Sequence, residues 1–204
     1  MNMAHTRRSL VFGGARSGKS AHAERLALQA LAGQGQPDGE IVYLATASRS
    51  ASRDDAEMQQ RIEHHQQRRT ALGGRWRTVE EPLALGQALR AHAGPDRVVL
   101  VDCLTVWLAN LLFADGIDFP ELGPIEPPPA FTRQREDFLL ALDEWHGQVI
   151  LVSNEVGMGV VPQGAISRWF VDEAGRLNQA VAARCERVQW VAAGLPLTFK
   201  DGPC

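Results

Sequence analysis

A chain of 204 residues and 22.3 kDa, 45% hydrophobic and 22% charged, has the make-up of a globular protein that buries roughly 70% of its unfolded surface. Its 21 basic and 24 acidic residues leave a net charge of −3, which gives no basic footprint for nucleic acid or an anionic membrane. No apolar run nears the ~20 residues of a membrane span, the N-terminus lacks a signal-peptide core, and Cys103, Cys185 and Cys204 form no C-x-x-C pair, so a cytoplasmic protein without disulfide framework or zinc site is expected.

The first apolar run, Ser9 to Phe12, reads as a strand. Directly after it stands Gly13-Gly14-Ala15-Arg16-Ser17-Gly18-Lys19-Ser20, which fits G-x-x-x-x-G-K-[ST] and leads into a helical pattern from Ser20 to Ala32. Glycines let backbone N–H groups converge on phosphate oxygens, and the helix that follows aims its N-terminal dipole at the same anion. Lys19 then reaches the β and γ phosphates of a nucleoside triphosphate while the Ser20 hydroxyl serves Mg²⁺. Lys19 and Lys200 are the only lysines among the 21 basic residues, so a lysine here is informative: some phosphate sites admit a thin-stemmed point charge but not a planar guanidinium.

A second strand is expected over Ile41 to Ala45, followed by a polar helix from Arg53 to Arg69 that Ser52 caps and whose first turn carries Asp54, Asp55 and Glu57. At ~100° per residue, His65 shares a side with Met58 and Ile62, whereas His64 points away. Spacing alone favours a half-buried structural histidine there. Next come a helix over Pro82 to His92, a strand over Val98 to Val101 ending in Asp102, and a helix over Leu104 to Phe113. Pro120, Pro124, Pro127, Pro128 and Pro129 then impose a surface loop over Asp115 to Ala130. A helix over Phe131 to His146, a strand over Val149 to Val152, a helix over Gly175 to Arg187 and a strand over Val188 to Ala193 complete the chain. All five strands are continuously apolar, which suits a parallel sheet covered on both faces, and their alternation with helices predicts one three-layer α/β domain over 1–204.

A Mg²⁺-nucleotide site also calls for an acid at the end of a neighbouring strand, and Asp102 supplies one. A helix cap is the other use for an aspartate there, and Glu155 is a competing carboxylate. Arg16, Arg168 and Arg176 suit phosphate or leaving-group contacts as well as they suit plain surface positions.

The phosphate loop, Ala45-Thr46-Ala47, Glu57-Met58 leading to Arg61-Ile62-Glu63-His64-His65, Trp76-Arg77-Thr78-Val79-Glu80, Asn154-Glu155-Val156-Gly157-Met158-Gly159-Val160-Val161-Pro162 and Ala174-Gly175-Arg176-Leu177-Asn178-Gln179 together resemble, in this order, the bifunctional adenosylcobinamide kinase / adenosylcobinamide-phosphate guanylyltransferase family of cobalamin synthesis. The resemblance covers nearly the whole chain. It implies a RecA-like P-loop fold and a homotrimer. It also implies two reactions: phosphorylation of the aminopropanol hydroxyl of adenosylcobinamide by ATP or GTP, then transfer of GMP from GTP to that phosphate through a guanylylated histidine. The matching histidine is His65. By the same resemblance Gly13, Gly14, Ala15, Arg16, Ser17, Gly18, Lys19, Ser20, Ala45, Thr46, Ala47, Gln66, Gln67, Arg68, Arg69, Glu80 and Asp102 line the GTP site.

The chemistry agrees, because a neutral imidazole near pH 7 can attack phosphorus and leave again. Two rival readings remain at this stage: a plain small-molecule P-loop kinase in which His65 is structural, and a nucleotide-dependent switch that binds a protein partner.

Overall fold

A computed structural model describes residues 7–35, 39–48 and 56–202, apart from the side chains of Met58 and Arg61. The elements run β1 (Arg8–Gly13), α1 (Lys19–Gly33), β2 (Glu40–Ala45), α2 (Ala56–Leu72), β3 (Trp76–Glu80), α3 (Leu85–His92), β4 (Arg97–Asp102), α4 (Leu104–Phe113), α5 (Pro129–Asp143), β5 (Gln148–Asn154), α6 (Ala165–Arg184), β6 (Arg187–Ala192) and β7 (Leu195–Asp201). The strands form one seven-stranded sheet in the order β3-β2-β4-β5-β1-β6-β7. All neighbours are parallel except β6 and β7, which pair antiparallel through the turn at Ala193–Gly194.

Alternation along each strand sends side chains to opposite faces, and both faces are apolar, so both must be covered. Leu10, Val42, Val99 and Leu151 pack beneath Leu89 of α3, Trp107 of α4, Phe138 of α5 and Leu177 of α6. Val11, Tyr43, Leu100 and Ile150 pack beneath Ala23, Leu26 and Ala27 of α1. The expected α/β architecture with a mostly parallel sheet is therefore present.

Several expectations need correction. β3 and β7 form although neither is a continuous apolar run, because both lie at sheet edges and stay largely exposed. α6 begins at Ala165, not Gly175, and ends at Arg184, so Arg187 belongs to β6. α2 continues beyond Arg69 to Leu72, while its proposed cap Ser52 and the acids Asp54 and Asp55 lie outside the described residues. Between Ala114 and Pro128 there is no helix or strand, yet the segment is anchored: Phe119 packs edge-on to Phe113, and the Glu121 carbonyl accepts the Ala165 N–H. Cys103 and Cys185 are buried free thiols, and Cys204 lies outside the described residues.

Candidate active site

β1 delivers the chain to the phosphate loop, and three close approaches fix the loop's path. A Cβ on Gly13 would stand 2.3 Å from the Val191 carbonyl oxygen, so only glycine fits against β6. Gly18, with φ of 94°, closes the loop in the left-handed region that glycine adopts without cost and precedes the first residue of α1. The Gly194 N–H donates to the Ser17 carbonyl at 2.8 Å, tying the loop to the β6–β7 turn. Lys19 folds back over the loop, where its Nζ donates to the Gly14 carbonyl at 3.2 Å. The Ser17 hydroxyl is buried without a hydrogen-bond partner among the described residues.

Asp102 ends β4, but β4 is not the immediate neighbour of β1: β5 lies between them and brings Asn154 into the gap. Asp102 does not cap α4, because the cap position is Cys103 and no side chain bonds there. Instead its Oδ2 accepts the Tyr43 hydroxyl at 3.1 Å. Burial, with the Asp102 charge beside it, holds the Tyr43 hydroxyl well above its ordinary range, and the same two causes raise the Cys103 thiol to about 11. Thr46 is fully buried and exchanges two 2.8 Å bonds with the Cys103 N–H and carbonyl, so it joins the ends of β2 and β4. Glu155 sits farther out and accepts the Gly157 N–H at 2.7 Å.

Helix α2 closes the site from above. Ile62, His65, Gln66 and Arg69 face inward together, as their three- and four-residue spacing requires. The His65 Nδ1 lies 3.1 Å from Arg68 Nη2, 3.8 Å from Asp102 Oδ2 and 3.9 Å from Glu24 Oε1. Glu24, fully buried on α1, accepts two bonds from Arg68, at 2.5 and 2.9 Å. Burial alone would raise its carboxyl; the nearby His65 and the bonded Arg68 outweigh that and hold it below the usual carboxylate range. Arg69 lays its guanidinium 3.7 Å above the Tyr43 ring centre.

Two clefts result, and they meet at Lys19, Ser20, His65 and Asn154. The inner one, of about 160 Å³, runs under α2 to Ala45, Ala47, Glu80 and Asp102. The outer one, of about 780 Å³, is bordered by Ala15 to Ser20, His64, Arg68 and Glu155.

A sequence profile described as cobinamide kinase / cobinamide phosphate guanyltransferase matches residues 9–199. The chain belongs to this family. Among its relatives, a bifunctional adenosylcobalamin biosynthesis protein CobP of Pseudomonas aeruginosa is 49% identical over 197 residues, 96% of this chain and 99% of that one. A bifunctional adenosylcobalamin biosynthesis protein CobU of Escherichia coli is 40% identical over 193 residues, 94% and 98% of the two chains. Among solved structures, an ATPase domain aligns with a TM-score of 0.50 at 15% identity, covering 97% of this chain and 78% of that one, a likeness of P-loop fold.

Of the residues that the family resemblance assigns to the nucleotide, most converge on the clefts. Four do not. Gly13 backs onto β6, Gly14 gives its carbonyl to Lys19, Thr46 spends its hydroxyl on Cys103, and Gln67, one position past Gln66, is turned by the helix to the exposed side. Arg168 bonds the carbonyls of Pro162 and Gln163, and Arg176 pairs with Glu173, so neither reaches the clefts. Tyr43, Thr78, Cys103 and Asn154 also line the clefts, and Glu24 lies just beneath. Thr78 and Asn154 stand inside the quoted family motifs without having been singled out, Glu24 left a trace as an acid on the buried stripe of α1 beside Ala23 and Leu26, and Tyr43 and Cys103 had no motif.

Proposed function

We propose that the chain, as one nucleotide-binding domain over 1–204, phosphorylates the aminopropanol hydroxyl of adenosylcobinamide with ATP or GTP. It then transfers GMP from GTP to the adenosylcobinamide phosphate through a guanylylated His65, giving adenosylcobinamide-GDP. The observation that carries this reading is that His65 and Lys19 border both clefts, so a nucleophile and a phosphate-binding cation face one triphosphate-sized space.

In the kinase step the loop amides and Lys19 hold the triphosphate while the substrate hydroxyl oxygen attacks the γ phosphorus and the nucleoside diphosphate leaves. Positioning and electrostatics suffice for this transfer. In the second step a His65 nitrogen attacks the α phosphorus of GTP, the bond to pyrophosphate breaks, and the substrate phosphate later displaces the imidazole. Lys19 and the loop offset charge on the departing pyrophosphate.

Among the described residues no three metal-binding side chains cluster. A hydroxyl and one carboxylate, Ser20 and Asp102 on the inner cleft, still fit Mg²⁺, which keeps several waters and takes its remaining ligands from phosphates. Bound there, it would supply charge neutralisation along the phosphate chain.

GTP labelled separately at the α and γ phosphates tests the proposal. The γ label should move to the corrinoid alcohol, and the α label should appear on His65 as an acid-labile, base-stable adduct. Movement of the γ label alone would leave a plain kinase. Slow hydrolysis with no transfer of either label would leave a switch. A homotrimer in the cytoplasm belongs to the same reading, and light scattering of the purified protein checks the assembly.

A further inference from the structure

We propose that Glu24 of the phosphate-loop helix is a positioning residue for guanylyl transfer: it anchors Arg68 against the resting His65 ring and, with Asp102, faces Nδ1–H in the attacking tautomer, so that Nε2 takes the GMP. The inference rests on the reading of His65 as the guanylylated residue and extends it to a residue that never meets the nucleotide.

A fully buried carboxylate is costly to retain unless it is paired and hydrogen-bonded. Glu24 meets that condition through the two Arg68 bonds, with Arg69 Nη1 a further 3.9 Å away. The forked contact fixes the guanidinium plane, and Arg68 Nη2 in turn stands 3.1 Å from His65 Nδ1. Every described polar contact of the ring is on Nδ1; none is on Nε2. Nδ1 is thus the held atom and Nε2 the free one.

Two carboxylates near Nδ1 also match the electronic demand of the reaction. A guanidinium only donates, so its resting contact makes Nδ1 an acceptor and leaves the ring proton on Nε2. Attack needs the other tautomer, with Nδ1–H turned to Glu24 or Asp102 and the Nε2 lone pair free. When Nε2 bonds the α phosphorus and pyrophosphate departs with the electron pair of the broken P–O bond, the ring keeps its Nδ1 proton and carries a positive charge. Glu24 and Asp102, at 3.9 and 3.8 Å, offset that charge, as a carboxylate does for the histidine of a hydrolytic triad. In the reverse half, the substrate phosphate oxygen bonds phosphorus and the ring leaves neutral.

The test compares adduct formation from α-labelled GTP with phosphorylation of the corrinoid alcohol in the same preparation. Glu24→Gln should slow the adduct roughly 10- to 100-fold, the usual loss when a carboxylate that orients a metal-bound histidine is removed. Phosphorylation should fall far less. An equal fall in both rates, or none in the adduct, would overturn the assignment.

Because Glu24→Gln leaves Arg68 unpaired, the Glu24→Gln/Arg68→Met double variant removes both charges together. Its adduct should stay slow; recovery to the unmodified rate would show that Glu24 merely neutralises Arg68. Phosphorus-to-nitrogen coupling in the ¹⁵N-histidine-labelled adduct should identify Nε2, and coupling to Nδ1 would overturn the geometry. Absence of any His65 adduct in the unmodified protein would instead overturn the functional reading, and this inference with it.

Discussion

The phosphate loop and helix α2 face each other across the same space, yet one is fixed by backbone and the other by charged side chains. The loop leaves a buried strand, is backed by Val191 and Gly194, and offers amides whose direction no pH change can alter. Helix α2 is mostly polar, and its hold on the body runs through Glu24–Arg68 and through Arg69 stacked on Tyr43. The proposed phosphate wall is thus set by backbone contacts. His65, the proposed nucleophile, rides on a wall whose seating depends on ionisation.

Breaking the α2 side at His65 should separate the two activities most completely. His65→Ala should abolish the GMP adduct while phosphorylation of the corrinoid alcohol persists, and His64→Ala, which does not point away as expected but borders the outer cleft and not the inner one, should retain the adduct; radiolabel mapping reads both. Breaking the loop side should do the opposite and depress both steps together. Lys19→Arg should cost each half-reaction at least the ~10²-fold of a lost transition-state charge contact, because a planar fork does not fit where a thin stem folds back to the Gly14 carbonyl.

A smaller effect is expected where the walls meet. Tyr43→Phe removes the hydrogen bond to Asp102 while keeping the ring under Arg69, a loss of about 1 kcal/mol, and should raise the Mg²⁺ concentration needed for half-maximal turnover several-fold.

The least effect in neutral solution, and the sharpest on the comparison, concerns acid. The Glu24 carboxyl is held below its ordinary range in the folded protein, so its contribution to stability is complete above the ordinary carboxylate pKa and is lost as pH falls through the folded value. Urea midpoints of the native chain and of Glu24→Gln should therefore differ by a constant amount at neutral pH and converge in acid. A difference that persists unchanged below the carboxylate range would mean that Glu24 acts there by packing and not by charge.

Legibility followed burial. Helix α4 matches its expected bounds, Leu104 to Phe113, because it is apolar along most of its length and ends where proline-rich chain begins. β3 and β7 leave no continuous apolar run in the sequence, since edge strands bury little; Leu195, Leu197 and Phe199 do alternate, the period of a strand with one exposed face. The first half of α6 carries Ile166, Trp169 and Phe170 at helical spacing, but Gly175 suggested a start where the helix merely passes through. At the site, the phosphate loop was legible because local spacing alone sets it, whereas helix phase turned His65 inward and only the family resemblance gave it a role. Tyr43 arrives by sheet register and Glu24 by the packing of α1, which no local pattern encodes.

The strand order also decides when, during synthesis, a nucleotide site can exist. β1 emerges first, yet its neighbours in the sheet are β5 and β6, with Arg8 opposite Val149 and Ser9 opposite Arg187. The phosphate loop therefore leaves the ribosome long before the strands that flank it and the Val191–Gly194 turn that backs it. Closing so long a loop is slow compared with pairing β2, β3 and β4, which lie together in the first half of the chain. A nascent chain released before β6 would hold a complete G-x-x-x-x-G-K-S motif without the wall that shapes it, and nucleotide should protect only chains that have reached Gly194 from proteolysis.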